Sequence, residues 1–201
     1  PILSQRERTK PINAIVKDRL DNLLPKLMRE NGIDMWLVIN REYEEDALFF
    51  SLVPQPTFAA RRTTMLMFFD AGEGKPLERM TVSRYPIKGF YDSNWKGGSN
   101  AEQWQQLANV IAERNPKKIA INTSEHWPLA DGLTASLQQS LENALSDKQK
   151  KKLVSAENLV VRWMETRTAL EIELWPEIVG LARTVIGEAF SNKVVTPGVT
   201  T

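Results

Sequence analysis

The chain has 201 residues, with 26 Lys and Arg against 25 Asp and Glu, so with its single His neutral the formal net charge is +1. That balance leaves no one-signed field to draw nucleic acid, and no apolar run approaches the ~18–20 residues needed to cross a bilayer, so neither nucleic acid nor membrane is expected as a partner. With 42% apolar and 25% charged residues the composition suits one good-sized folded domain or two small ones, and zero Cys excludes disulfides, thiolate zinc sites and thiol nucleophiles.

The chain begins at Pro1 on a polar segment, which implies a removed leader or a trimmed terminus and leaves the compartment open. Ile12, Ile15, Val16, Leu20, Leu23, Leu24, Leu27 and Met28 recur at three- and four-residue steps and predict a helix over about 13–31, closed by Asn31-Gly32. Pro25 inside it removes a backbone donor and predicts a kink near Asn22 or a split. Residues 34–40, Asp-Met-Trp-Leu-Val-Ile-Asn, form a continuous apolar run of strand length, the pattern of a strand buried on both faces. Helix followed at once by buried strand predicts an α/β layer arrangement.

Glu42, Glu44, Glu45 and Asp46 then form an acidic turn, dense enough to bind a hard cation weakly but more simply a solvated turn before a short helix over 47–52. A second buried strand is predicted over 63–69, and 77–84 is its hairpin partner across a Gly- and Pro-rich turn. Residues 85–100 form an aromatic and glycine-rich loop, the longest stretch without periodicity, in which Trp95 beside Tyr91 and Phe90 suggests a recognition surface or a local packing cluster. A helix over 101–114 and a strand over 118–122 follow, and Asp131 is a plausible cap for a helix carrying Leu133, Leu137, Leu141 and Leu145. The lysines at 148, 150, 151 and 152 complement the dipole of a helix end. Residues 155–163 read as a short helix, and Thr168 with Glu171 fits a capping box opening a long helix to about 191. The wide apolar stripe of that helix, Ile172 to Phe190, must be buried against something.

Catalytic chemistry is sparse. There is no GxxxxGK[ST] or GxGxxG motif, and a serine hydrolase would have to rely on His126, which sits in a strand-to-helix loop without a GxSxG elbow. One His and no Cys leave only carboxylates for metal binding. A nuclease would need inward carboxylates on its strands, and the strand centres have almost none.

Gly32-Ile33-Asp34-Met35-Trp36-Leu37-Val38, then Ser155-Ala156-Glu157, then Arg162, Glu165-Thr166-Arg167 and Glu171-Ile172 on a helix running to Thr196-Pro197-Gly198-Val199-Thr200-Thr201, together resemble the amino-terminal domain of the creatinase, prolidase and Xaa-Pro aminopeptidase family. The resemblance covers nearly the whole chain and is most specific at the junction after 155. It implies a ribonuclease H-like three-layer α/β domain, a mixed sheet between helices, over 1–154. Residues 155–201 would be the junction and first long helix of a truncated pita-bread catalytic domain.

In that family two divalent metal ions, such as manganese, cobalt or zinc, are held by two Asp, one His and two Glu of the catalytic domain, so this chain is expected to hold no metal and no catalytic residue. The expected role is substrate gating and oligomerisation for a metal-dependent Xaa-Pro hydrolase, with its own catalytic domain and a second copy as partners. Creatinase presents a Phe and an Arg before a central strand towards substrate in the partner subunit. Here Phe58-Ala59-Ala60-Arg61-Arg62 precedes the 63–69 strand, with different spacing and two arginines. The resemblance therefore puts Phe58, Arg61 and Arg62 forward as substrate-binding, able to grip a carboxylate bidentately, against the ordinary reading of a structural ion pair. Arg41, in Asn40-Arg41-Glu42, is a second candidate, and Tyr91 and Trp95 are candidates in the loop. The alternative is a stand-alone module binding a small ligand or protein through loop 85–100.

Overall fold

Ser4 and Glu7 close a capping box in which Glu7 N donates to Ser4 Oγ and Ser4 N donates back to the Glu7 carboxylate. Helix α1 (Gln5–Asp18) therefore starts well before the apolar periodicity does, on a segment whose polar residues hid it. The computed structural model describes residues 3–201. A π-helical turn, Arg19–Leu23, joins α1 to α2 (Leu24–Glu30), where Pro25 sits at the helix start. Proline has no N–H for the carbonyl four residues back, and the turn widens there: Leu24 N donates five residues back to Arg19 O. Arg19, buried at the start of that turn, donates through its guanidinium to the Trp163 and Thr166 carbonyls and lies 4.2 Å over the Trp163 ring. Those are the orphan carbonyls of a helix C-terminus, and a cation satisfies both their hydrogen bonding and their dipole.

Six strands form one mixed sheet in the order β4-β3-β2-β1-β5-β6. They are β1 (Met35–Arg41), β2 (Thr63–Phe69), β3 (Glu78–Ser83), β4 (Asp92–Ser93), β5 (Ile119–Ile121) and β6 (Leu153–Ser155). β1, β2 and β3 are antiparallel neighbours, whereas β5 lies parallel to β1 and β6 parallel to β5. Arg41 pairs with Thr63 across β1 and β2, which fixes Arg41 beside the residues that enter β2.

Helices cover both faces. Trp36, Val38, Leu66 and Phe68 pack with residues of α1, α2, α3 (Phe49–Leu52) and α7 (Glu157–Glu165), while Met35, Leu37, Ile39, Met65 and Met67 pack with α4 (Asn100–Arg114) and α5 (Ala135–Ala144). Six consecutive residues of β1 are buried, which is why its sequence is apolar from Met35 to Ile39 instead of alternating. Asp131 does not cap α5: Thr134 does, its Oγ1 accepting from Leu137 N, and Asp131 instead accepts from Ser124 N. The lysine run begins on its own short helix, α6 (Asp147–Lys150), capped by Ser146.

The chain divides at Thr166/Arg167. The boundary expected at 154/155 falls too early, because β6 is a strand of the sheet and α7 buries Leu159, Val160 and Trp163 in the first unit. The second unit, Arg167–Thr201, is built on α8 (Ala169–Ala189), opened by the Thr168–Glu171 capping box. Among the described residues no helix is long and apolar enough to cross a membrane.

Where β1 and β5 end, a buried polar network replaces apolar packing. Asp46, 2% exposed, receives hydrogen bonds from Leu48 N on Oδ1 (2.9 Å) and from Asn122 Nδ2 on Oδ2 (2.7 Å). Asn122 Oδ1 accepts from Trp36 Nε1 (2.8 Å), and Asn40 Oδ1 accepts from Asp46 N (3.0 Å). Gly132 packs directly on the Asp46 carboxylate, leaving no room for a Cβ. A Gly132→Ala variant is thus expected to lose about 1–3 kcal/mol of stability by overpacking. Thermal unfolding followed by circular dichroism checks this, and an unchanged Tm would contradict it.

Burial holds the Asp46 carboxyl above the ordinary carboxylate range, against the bonds from Leu48 and Asn122 that pull it down. The folded state thus keeps this proton more readily than the unfolded chain does. Its contribution to stability is full below the ordinary carboxylate value and is lost as pH rises through the raised one. The stability difference between the native protein and Asp46→Asn should accordingly shrink as pH rises from 4 to 8 in urea unfolding; a difference that grows would contradict it.

Candidate functional site

The end of the sheet where β1 stops and β2 starts gathers most of the charged candidates. Glu42, just past β1, accepts from Arg62 N (3.1 Å) and pairs with Arg62 Nη1 (3.3 Å) and Arg61 Nε (3.6 Å), while Glu42 N donates to Arg62 O (2.7 Å). Glu45 accepts from Ala60 N, and Arg41 pairs with Glu44 across the turn. The acidic run is therefore a set of separate anchors: two of its carboxylates hold the 60–62 loop, one holds Arg41, and Asp46 is buried in the core network. Tyr43 and Glu44 of this turn remain exposed, while the other acidic side chains are drawn into these contacts. Among the described residues no group of three or more His, Asp or Glu is placed to hold a metal ion.

That anchoring has a purpose visible in the backbone. Arg61 and Arg62 adopt φ of 48° and 61°, left-handed values that cost a residue with a Cβ about 1 kcal/mol or more. The turn sets the two side chains apart: Arg61 lies 4.9 Å over the Tyr85 ring, and Arg62 lines a cavity of about 570 Å³. Arg84, Trp95, Lys96 and Gln103 line the same cavity.

Each wall has a local cause. Ser83 Oγ donates to Tyr85 O and accepts from Tyr85 N, a tight hydroxyl turn that carries the chain outward at Arg84 as β3 ends. Gln103, buried on α4, donates through Nε2 to Thr63 O and Val82 O (both 2.9 Å), pinning the first turn of α4 to the ends of β2 and β3. Gly98, at φ 150°, lets the loop pass so close to the Trp95 ring that a Cβ would stand 3.1 Å from it. Ser99 and Glu102 then cap α4, and the Ser99 bonds keep the Glu102 carboxyl below the ordinary range, charged and turned to its own helix end.

Of the sequence candidates, Arg41, Arg61 and Arg62 are brought together, Phe58 is 78% exposed on the loop leading to them, and Trp95 walls the cavity that Arg62 enters. Tyr91 is a correction. It is buried against Phe68, with its hydroxyl donating to Leu52 O (2.6 Å), and burial pushes its phenol well above the usual range, so its side chain packs the core and is not part of the loop surface. Arg84 and Lys96 escaped the sequence reading. Gly97-Gly98 before Ser99-x-x-Glu102 was the available signal, since it marks a loop drawn tightly against a capped helix start.

A larger polar cavity of about 710 Å³ lies past β5 and β6, lined by Ser124, His126, Asp131 and Glu157 among others. Its serine is committed: Ser124 Oγ donates to Glu157 (2.5 Å) and accepts from His126 N and Trp127 N. The His126 ring makes no hydrogen bond among the described residues, so the group forms a loop staple and no nucleophile–base pair.

Neither a scan against protein-family models nor a search of curated proteins returned a match. Since glycine adopts the left-handed backbone freely, Arg61→Gly and Arg62→Gly should leave stability unchanged or raise it by up to about 1 kcal/mol despite the lost ion pairs. Urea unfolding checks this, and a loss above that size would mean the arginines serve the fold.

Proposed function

We propose that this chain is the non-catalytic recognition and assembly part of a metal-dependent hydrolase of the creatinase, prolidase and Xaa-Pro aminopeptidase type, with a ribonuclease H-like first domain. The mixed sheet between two helical layers supports the fold part of this reading. The observation that carries the functional part is the loop Phe58–Arg62. It presents an exposed aromatic ring and two arginines at one end of the sheet, in a backbone conformation that stability alone would not select.

Chemically, such a loop narrows an active site held elsewhere. An arginine offers a fixed fork of donors for a substrate carboxylate, and an exposed ring excludes badly oriented substrates. Two divalent metal ions would be held by a further domain and by no residue of this chain. α8 supports a further domain independently: within its own unit it buries no residue, although Ile172, Trp175, Ile178, Leu181, Val185 and Ile186 form an apolar stripe. A stripe of that width needs a covering partner in water.

The encoding reading frame tests the proposal. A continuation past Thr201 that supplies two Asp, one His and two Glu is expected, and a stop codon directly after Thr201 would leave a stand-alone binding module instead. The pure chain with added manganese, cobalt or zinc should cleave no Xaa-Pro peptide; metal-dependent cleavage by it would overturn the non-catalytic role.

A further inference from the structure

We infer that the cavity between Arg62, Arg84, Lys96 and Trp95 is a binding site for a small organic anion, a carboxylate or phosphate group carrying a flat apolar body. The inference deepens the recognition reading, because Arg62 belongs to both, but its test needs only this chain.

Three cationic side chains from three separate segments converge on one cavity: Arg62 from the loop before β2, Arg84 from the end of β3, and Lys96 from the loop before α4. Among the described residues no carboxylate belongs to its lining, and the nearest, Glu102, lies behind Gly98. Glu42 offsets Arg62 only in part, at 3.3 Å to one guanidinium nitrogen, and Glu102 is taken up by the Ser99 amide and hydroxyl. Among the described residues Arg84 and Lys96 have no ion pair. In a chain whose net charge is +1, three cations around about 570 Å³ without a lining acid is a local excess that repels itself until an anion enters.

The apolar part of the ligand follows from Trp95. It is partly buried, packed from one side against the core on the α4 and α5 face of the sheet, and Gly98 passes close to its ring, so one face of the cavity is an aromatic wall. Inorganic ions gain nothing from such a wall, whereas a flat ring or apolar side chain next to the anionic group does. The arginine forks suit the two or three oxygens of a carboxylate or phosphate.

Isothermal titration of the full chain with phenyl phosphate, benzoate and inorganic phosphate tests this. At least one of the two aromatic anions is expected to bind more tightly than inorganic phosphate and to weaken as sodium chloride is raised; which one binds better identifies the anionic group. Arg84→Ala and Lys96→Ala should each weaken that binding about tenfold, the effect of losing a charge-assisted hydrogen bond. Trp95→Ala should remove the preference for the aromatic anion. Lys151→Ala, at the opposite end of the parallel strands, should change nothing. Circular dichroism checks that the substitutions at exposed Arg84, Lys96 and Lys151 and at partly buried Trp95 leave the fold intact. No binding of any probe at millimolar concentration, or binding indifferent to Arg84 and Lys96, would overturn the site, as would equal affinity for inorganic phosphate untouched by Trp95→Ala. Those outcomes would leave the hydrolase reading standing, and a stop codon after Thr201 would leave the anion site standing.

Discussion

Burial of β1 on both faces is the constraint from which the rest of the molecule follows. Five consecutive apolar residues fill the buried strand before a polar side chain appears, so Asn40, Arg41 and Glu42 come in immediate succession at and just past its carboxyl end. Asn40 turns inward to the Asp46 network, while Arg41 and Glu42 turn outward to the β2 entry. The same switch from apolar to polar thus closes the core and opens the candidate site. Open α/β sheets commonly carry their ligands past the carboxyl ends of strands, where loops are free of packing demands.

Charge in this protein is balanced in sum and uneven in place. Most acids near β1 are spent on holding other parts: Glu42 and Glu45 fix the 60–62 loop, and Asp46 serves the core. The result is a pair of arginines held in left-handed backbone, with the buried Thr64 hydroxyl donating to the carbonyls of Ala60 and Arg61. Arg19 shows the contrasting case. Buried and bonded to two carbonyls at the end of α7, it serves structure alone.

The sequence pattern exposed the fold unevenly, for physical reasons. Residues 35–41 and 63–69 are legible because strands buried on both faces read as unbroken apolar runs, and Thr168 with Glu171 is legible because a capping box is local. β4 and β6 are not: Asp92–Ser93 has two exposed residues, and Leu153–Ser155 follows four lysines, so neither shows an apolar signal of strand length. Asp46 is hidden by its acidic neighbours, since nothing local distinguishes the one carboxylate that Gly132 and Asn122 receive far along the chain. Tyr91 misleads in the opposite sense, an aromatic in an aperiodic loop whose contacts with Phe68 and Leu52 are long-range. The arginine pair was visible as residues, but its role needed the register that puts Arg41 beside Thr63.

Arg62, Arg84 and Lys96 gather at one end of the sheet, where the anion site is proposed. A crystal structure of the chain grown with phenyl phosphate measures this most directly. The phosphate group is expected between the three cations with the phenyl ring on Trp95; a ligand seated in the polar cavity of Ser124 and Glu157, or along the lysines at 148–152, would rule that site out.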